Sequence, residues 1–290
     1  MTVNELVEAF IDSRAVAMRP KTLEYYEYAL GLLTSAVGGR PVSEVKPAHL
    51  EAALTGLRAG RSDATIRTIH TAWRALFNFA VRRGLVARSP MAEVARPRRP
   101  TKVPDTYSNA EIRALLAAAQ TLRDRVIVLL LLDTGLRASE ACGLDVGDVD
   151  FGEGWVLVRG GKGGKDRWVP TGEGVIAAVR LYLDGRTNRP LLVGEGGKRL
   201  ARFGLRSVLA RLKERAGLKC RVYAHKFRHT FARRYLEAGG DLQSLSEILG
   251  HADITTTSRH YACFLRDGLK AKHRRCSPVD RGNFDQGTLF

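Results

Sequence analysis

The stretch VIVLLLL, residues 126–132, constrains this chain more than any other. A helix there is apolar around its whole circumference, so other elements must cover it on every side. The run is far short of the ~20 residues that a membrane span needs. It predicts the buried helix of a second domain, from Leu122 to Asp133, ended by Gly135 and followed by a short helix over RASEAC (137–142). That domain starts near Tyr107, where Ser108 with Glu111 three residues on reads as a capping box for a helix to about Gln120. GWVLVRG (154–160) and RWVP (167–170) read as a strand pair, with GGKGGKD (160–166) as its turn. Helices are expected again at about 174–184, 202–216, 224–238, 242–249 and 255–261, with a further one over 264–272.

Residues 1–95 carry a different pattern. Val3, Leu6, Val7, Phe10 and Ile11 share one helix face, and Arg19-Pro20 breaks that helix. A second helix is expected over 22–36, with Leu23, Leu30 and Leu33 inward. Pro47 starts a third, and Ile66, Ile69, Trp73, Leu76, Phe77 and Ala80 mark a fourth. The expected product is a four-helix bundle. The segment RPRRPTKVP then reads as an extended basic linker over 96–106. Its Arg96, Arg98, Arg99 and Lys102 either lie along a phosphate backbone or are simply solvated. The second domain covers 107–276, and 277–290 is a polar tail.

Charge narrows the partners. Lys and Arg number 47 against 30 Asp and Glu, a net +17, and residues 1–100 carry 15 basic against 9 acidic residues. An excess in both parts suggests that both face a polyanion. Cys142, Cys220, Cys263 and Cys276 form no CxxC pair, which fits reduced thiols in a cytosolic protein. MTVNELVEAF lacks the basic start and apolar core of a signal peptide. The expected location is the cytoplasm, in association with the nucleoid.

The chemistry concentrates in AHKFRHTFA (224–232) and LGHADITTTSRHY (249–261). GGKGGKD is not a phosphate loop, because Asp166 and a strand follow the second lysine. His225 and His229 have zinc-site spacing, but position 226 is Lys and the glutamate of HExxH is missing. Arg137 either pairs with Glu140 on its own short helix or grips a phosphate with its guanidinium fork. Arg228, three residues after His225, shares that residue's helix face.

From about Leu6 to Phe264 the chain resembles the tyrosine recombinase, or phage integrase, family. The resemblance rests on TGLRASE, GKGGKDR, HKFRH, LGHADITTT and Tyr261 in that order. The ten-residue gap from His251 to Tyr261 departs from the nine typical of the Xer-type subgroup. The resemblance implies a mostly α fold with a small antiparallel β-sheet: an N-terminal helical, SAM-like core-binding domain and a mixed α/β catalytic domain, clamping duplex DNA. It implies Tyr261 as nucleophile, leaving a 3′-phosphotyrosine and a free 5′-hydroxyl. Arg137, Arg228 and His251 would hold the phosphate, His225 would be the base or proton relay, and Lys162 would protonate the leaving oxygen, with Lys165 on the same turn an alternative or otherwise a DNA contact. No metal and no other cofactor is expected. The partner is double-stranded DNA, with a homo-tetramer on synapsed sites and a monomeric free form allowed. The expected function is site-specific recombination by a simple two-domain enzyme without an arm-binding domain. Its rivals are a DNA-binding architectural protein that no longer cuts and a type IB topoisomerase-like enzyme. The stretch after Tyr261 would dock on a neighbouring subunit or lie on DNA.

Overall fold

The computed structural model describes residues 1–97, 103–160, 166–187, 190–251 and 253–264, with positions 273, 274, 276, 277 and 279. The chain forms two compact units, Met1–Thr101 and Lys102–Phe290.

The first unit is built from α1 (Val3–Ala15), α2 (Pro20–Val37), α3 (Pro47–Leu57) and α4 (Asp63–Arg82). Thr2 and Glu5 close a capping box on α1, and Pro20 and Pro47 occupy first-turn positions where a missing N–H costs nothing. The apolar stripe of α4 is the spine of the core. Trp73 is fully buried there and donates its indole N–H to Ala29 O at 2.8 Å, which satisfies its one polar atom. Leu23, expected inward, is only half-buried, because the first turn of α2 lies at the rim of this core and Ala29, Leu30, Leu33 and Val37 fill it instead. After Met91 the chain runs back along α4. His70 Nε2–H donates to Val94 O (3.1 Å), Arg67 donates to Pro97 O (2.8 Å) and Arg96 donates to Thr71 Oγ1 (3.1 Å). Burial lowers the His70 pKa and keeps the ring neutral at ordinary pH. Arg98, Arg99 and Lys102 lie outside the described residues.

The second unit contains α5 (Asn109–Ala118), α6 (Leu122–Thr134), α7 (Ala138–Gly143), β1 (Val149–Asp150), β2 (Trp155–Val158) and β3 (Arg167–Pro170), then α8 (Glu173–Leu183), α9 (Arg202–Arg215), α10 (Ala224–Glu237), α11 (Leu242–Leu249) and α12 (Ile254–Tyr261). The apolar run buries Val126, Ile127, Val128, Leu130 and Leu131, and α6 packs on α5, α8 and α10. The sheet is antiparallel in the order β1-β2-β3. The expected pair is β2 with β3, registered Val156 to Val169 and Val158 to Arg167. β1 was not expected, since two residues carry no periodic signal. The hairpin neck is closed by Gly160 N–H donating to Asp166 Oδ1 at 2.8 Å. Its tip, with Lys162 and Lys165, lies outside the described residues, as does most of 264–290.

Residues 105–107 are sewn to α10. Asp105 pairs with the buried Lys226 at 2.9 Å, Thr106 Oγ1 accepts from Arg233 at 3.2 Å, and Tyr107 N–H donates to Thr230 Oγ1 at 2.8 Å. Asp105 and Thr106, expected in the linker, therefore belong to the second unit, because these side-chain partners on α10 fix them.

Candidate active site

Two helix ends frame the site. α6 ends at Gly135 with φ +60°, where a Cβ would stand 2.6 Å from Phe231 Cδ1. α11 ends at Gly250 with φ +63°, where a Cβ would stand 2.8 Å from Arg167 Cζ. Both positions require glycine, for backbone conformation and for close approach. The turns deliver Arg137 and His251 just beyond. They also leave Gly135 O and Leu249 O at negative helix ends without intrahelical donors.

Arg228 of α10 fills that gap. It is 1% exposed and donates to Gly135 O at 2.9 Å, Leu249 O at 2.6 Å and His251 Nε2 at 2.9 Å. A guanidinium cannot accept, so His251 Nε2 is the acceptor and the ring's proton sits on Nδ1, donated to Thr257 Oγ1 at 2.6 Å. Burial, then the nearby Arg137 charge, pull the Arg228 pKa down to about 10, so it remains a cation at neutral pH.

Arg137 caps the start of α7. Its N–H and its Nη1 both reach Glu140, each at 2.8 Å, and Nη1 lies 3.4 Å from Leu249 O. Glu140 is shared: Arg167, at the base of the lysine hairpin, grips both its oxygens at 3.0 and 3.1 Å and donates Nε–H to Ile248 O at 2.9 Å. Burial alone would raise the Glu140 pKa. Hydrogen bonds from Arg167 and from the Arg137 N–H outweigh it and hold the carboxyl at about 2. The intrahelical Arg137–Glu140 pair exists, and it aims the guanidinium at the end of α11.

Tyr261 is the last residue of α12, 2% exposed, with its ring stacked on Phe264. Its hydroxyl lies 2.8 Å from His229 Nδ1. Burial raises the phenol pKa, and the Arg228 and Arg137 charges pull the other way. His229 is held down at about 4, first by burial and then by His225, His260 and Arg228, so its ring is neutral. The exposed His225 stands edge-on to His229, with ring centroids 4.5 Å apart. Desolvation, then Arg228, Arg137 and His260, lower its pKa.

The fold thus brings Arg137, Arg228, His251 and Tyr261 into one cluster and sets His225 one ring removed from the phenol. Lys162 lies outside the described residues, and Arg96 sits in the first unit on Thr71. Sequence reasoning missed His229 as the partner of the tyrosine. Its four-residue offset from His225 suggests zinc spacing, and the same offset puts both rings on one helix face. It also left Arg167 unassigned within GKGGKDR, and Thr257 carried no signal beyond its six-residue offset from His251. Among the described residues, no three His, Cys, Asp or Glu side chains could hold a metal ion. No helix among them is long and apolar enough to cross a membrane.

The model of the phage integrase family matches residues 106–264. The chain is 32% identical to the tyrosine recombinase XerD of Ralstonia nicotianae over 291 residues, 94% of each protein. It is 36% identical to the tyrosine recombinase XerA of Pyrococcus furiosus over 238 residues, 79% of this chain and 78% of that one. Among solved structures, the Tn1549 transposon integrase in complex with a circular intermediate DNA aligns with a TM-score of 0.80 at 23% identity, covering 96% of this chain and 100% of that one. A lambda integrase dimer bound to a core site aligns with a TM-score of 0.75 at 19% identity, covering 88% and 97%.

Proposed function

The chain belongs to the phage integrase family of tyrosine recombinases, and we propose that its site-specific recombination of DNA runs through a covalent 3′-phosphotyrosine on Tyr261. The carrying observation is that the Tyr261 hydroxyl lies under the charges of Arg228 and Arg137 while bonded to a neutral imidazole. A phenol with a pKa of ~10 costs about 4 kcal/mol to ionise at pH 7. Burial raises that cost here, so an adjacent proton acceptor and stabilising cations are both required.

The phenolate attacks phosphorus, the bond to the 5′-oxygen breaks, and that oxygen takes a proton from Lys162 on the hairpin tip. Arg137 and Arg228 hold the non-bridging oxygens and stabilise the pentacoordinate transition state, work that a metal does in other phosphoryl transfers. His251 adds a hydrogen bond to the phosphate. Because its Nε2 accepts from Arg228 before DNA arrives, this bond requires Arg228 to turn toward the phosphate and the ring to gain or shift a proton. His225 relays protons at the edge of the cluster. The phosphotyrosine bond conserves the energy for rejoining, so no nucleotide is consumed. The first unit, with Arg96, Arg98 and Arg99, tracks the duplex backbone together with Lys102 at the start of the second, and strand exchange takes place in a tetramer on two synapsed duplexes.

The test is covalent capture. Nicked duplexes recovered from a random-sequence pool by the wild-type protein should yield a denaturation-resistant protein–DNA adduct. Y261F should abolish it and EDTA should leave it intact. No adduct from wild type would overturn the reading, and an adduct from Y261F would overturn the nucleophile.

A further inference from the structure

We propose that His229, and not His225, is the group that takes the proton from Tyr261. This deepens the proposed function and rests on it. The geometry is direct: His229 Nδ1 is 2.8 Å from the phenol oxygen, within proton-transfer reach, while His225 touches the phenol only through the His229 ring. Helix position agrees. His225 is the second residue of α10, where the positive helix end opposes an imidazolium, whereas His229 lies one turn further in.

The step balances. The Tyr261 O–H bond breaks, its proton passes to His229 Nδ1, and the electron pair left on oxygen forms the O–P bond. The P–O5′ bond breaks with its pair on the 5′-oxygen, which Lys162 protonates. On rejoining, the 5′-hydroxyl attacks, the P–O bond to tyrosine breaks, and His229 returns the proton to the phenolate.

The surroundings make this acceptor conditional on substrate. His225 and Arg228 from α10 and His260 from α12 face His229 and disfavour its cation, opposed by Asp105 before α5. A phosphodiester seated on Arg137 and Arg228 brings a negative charge into that cationic group and raises the ring's basicity. In the free protein the same imidazole is a weak base that only positions the phenol.

The test uses the captured nicked duplex and single-turnover adduct formation. In H229Q the side-chain oxygen still accepts a hydrogen bond from the phenol and cannot take its proton. Adduct formation should fall roughly 100-fold or more, the scale of a lost general base. A fluorinated tyrosine of lower pKa at position 261 should recover most of that loss in H229Q, and a 5′-bridging sulfur leaving group should not. An H229Q rate within threefold of wild type overturns the assignment. So does a slow H229Q that the fluorotyrosine leaves slow. If H229Q does not fold, the readout moves to the unsubstituted chain: fluorotyrosine should flatten the acid limb of its pH–rate profile, and an unchanged limb overturns the assignment. Absence of any adduct from wild type overturns the proposed function itself, which separates the two failures.

Discussion

Arg228 serves two purposes at once. On the proposed mechanism it holds the phosphate, and in the structure it is the donor that satisfies the last carbonyls of α6 and α11. Lysine offers one point charge where the guanidinium spans three acceptors. R228K should therefore leave buried carbonyls unpaired, at about 1–3 kcal/mol each. A lower urea midpoint together with a collapse of adduct formation checks this, and loss of activity at unchanged stability would contradict it. Glu140 makes a pH prediction. Its folded pKa of about 2 lies below the ordinary 4.5, so its stabilisation is complete above 4.5 and is lost as pH falls from there toward 2. The amount is on the order of 2–3 kcal/mol, discounted for partial solvent screening. In urea titrations across that window, E140Q should show a shallower fall in stability than wild type.

At the scale of elements, the ends of α6 and α11 matter more than their lengths. G135A forces a Cβ into left-handed backbone and against Phe231, and should cost about 1–3 kcal/mol, read as a lower Tm. These ends also show what the sequence could disclose. α6 was legible because seven apolar residues in a row need cover, although Leu129 and Leu132 stay half-buried where the packing stops short, and α4 because its stripe repeats at helical spacing. β1 was not, since its two residues pair only because β2 is already in place. The site divides in the same way. Arg137 and Tyr261 stood out by motif and spacing. The His229–Tyr261 bond depends on how α12 packs against α10, thirty-two residues apart in sequence, and no local pattern encodes that packing.

For the whole molecule, charge sets the terms of binding. With a net +17, affinity for any duplex should fall steeply with salt. Replacing Arg96, Arg98, Arg99 and Lys102 with Gln should reduce the log–log salt slope by about one unit for each cation that contacts a phosphate. An unchanged slope would place those cations off the DNA. The bonds from residues 105–107 to α10 have a further consequence, for protein chemistry. The second unit begins before its first helix. A protease that cuts between Pro97 and Val103 should release a fragment that still carries Asp105, Thr106 and Tyr107 on α10 and stays resistant to further digestion. A fragment starting at Ser108 leaves the buried Lys226 without its carboxylate and Thr230 without the Tyr107 amide. Such a fragment should be degraded quickly, beginning at the helix that holds Arg228 and His229.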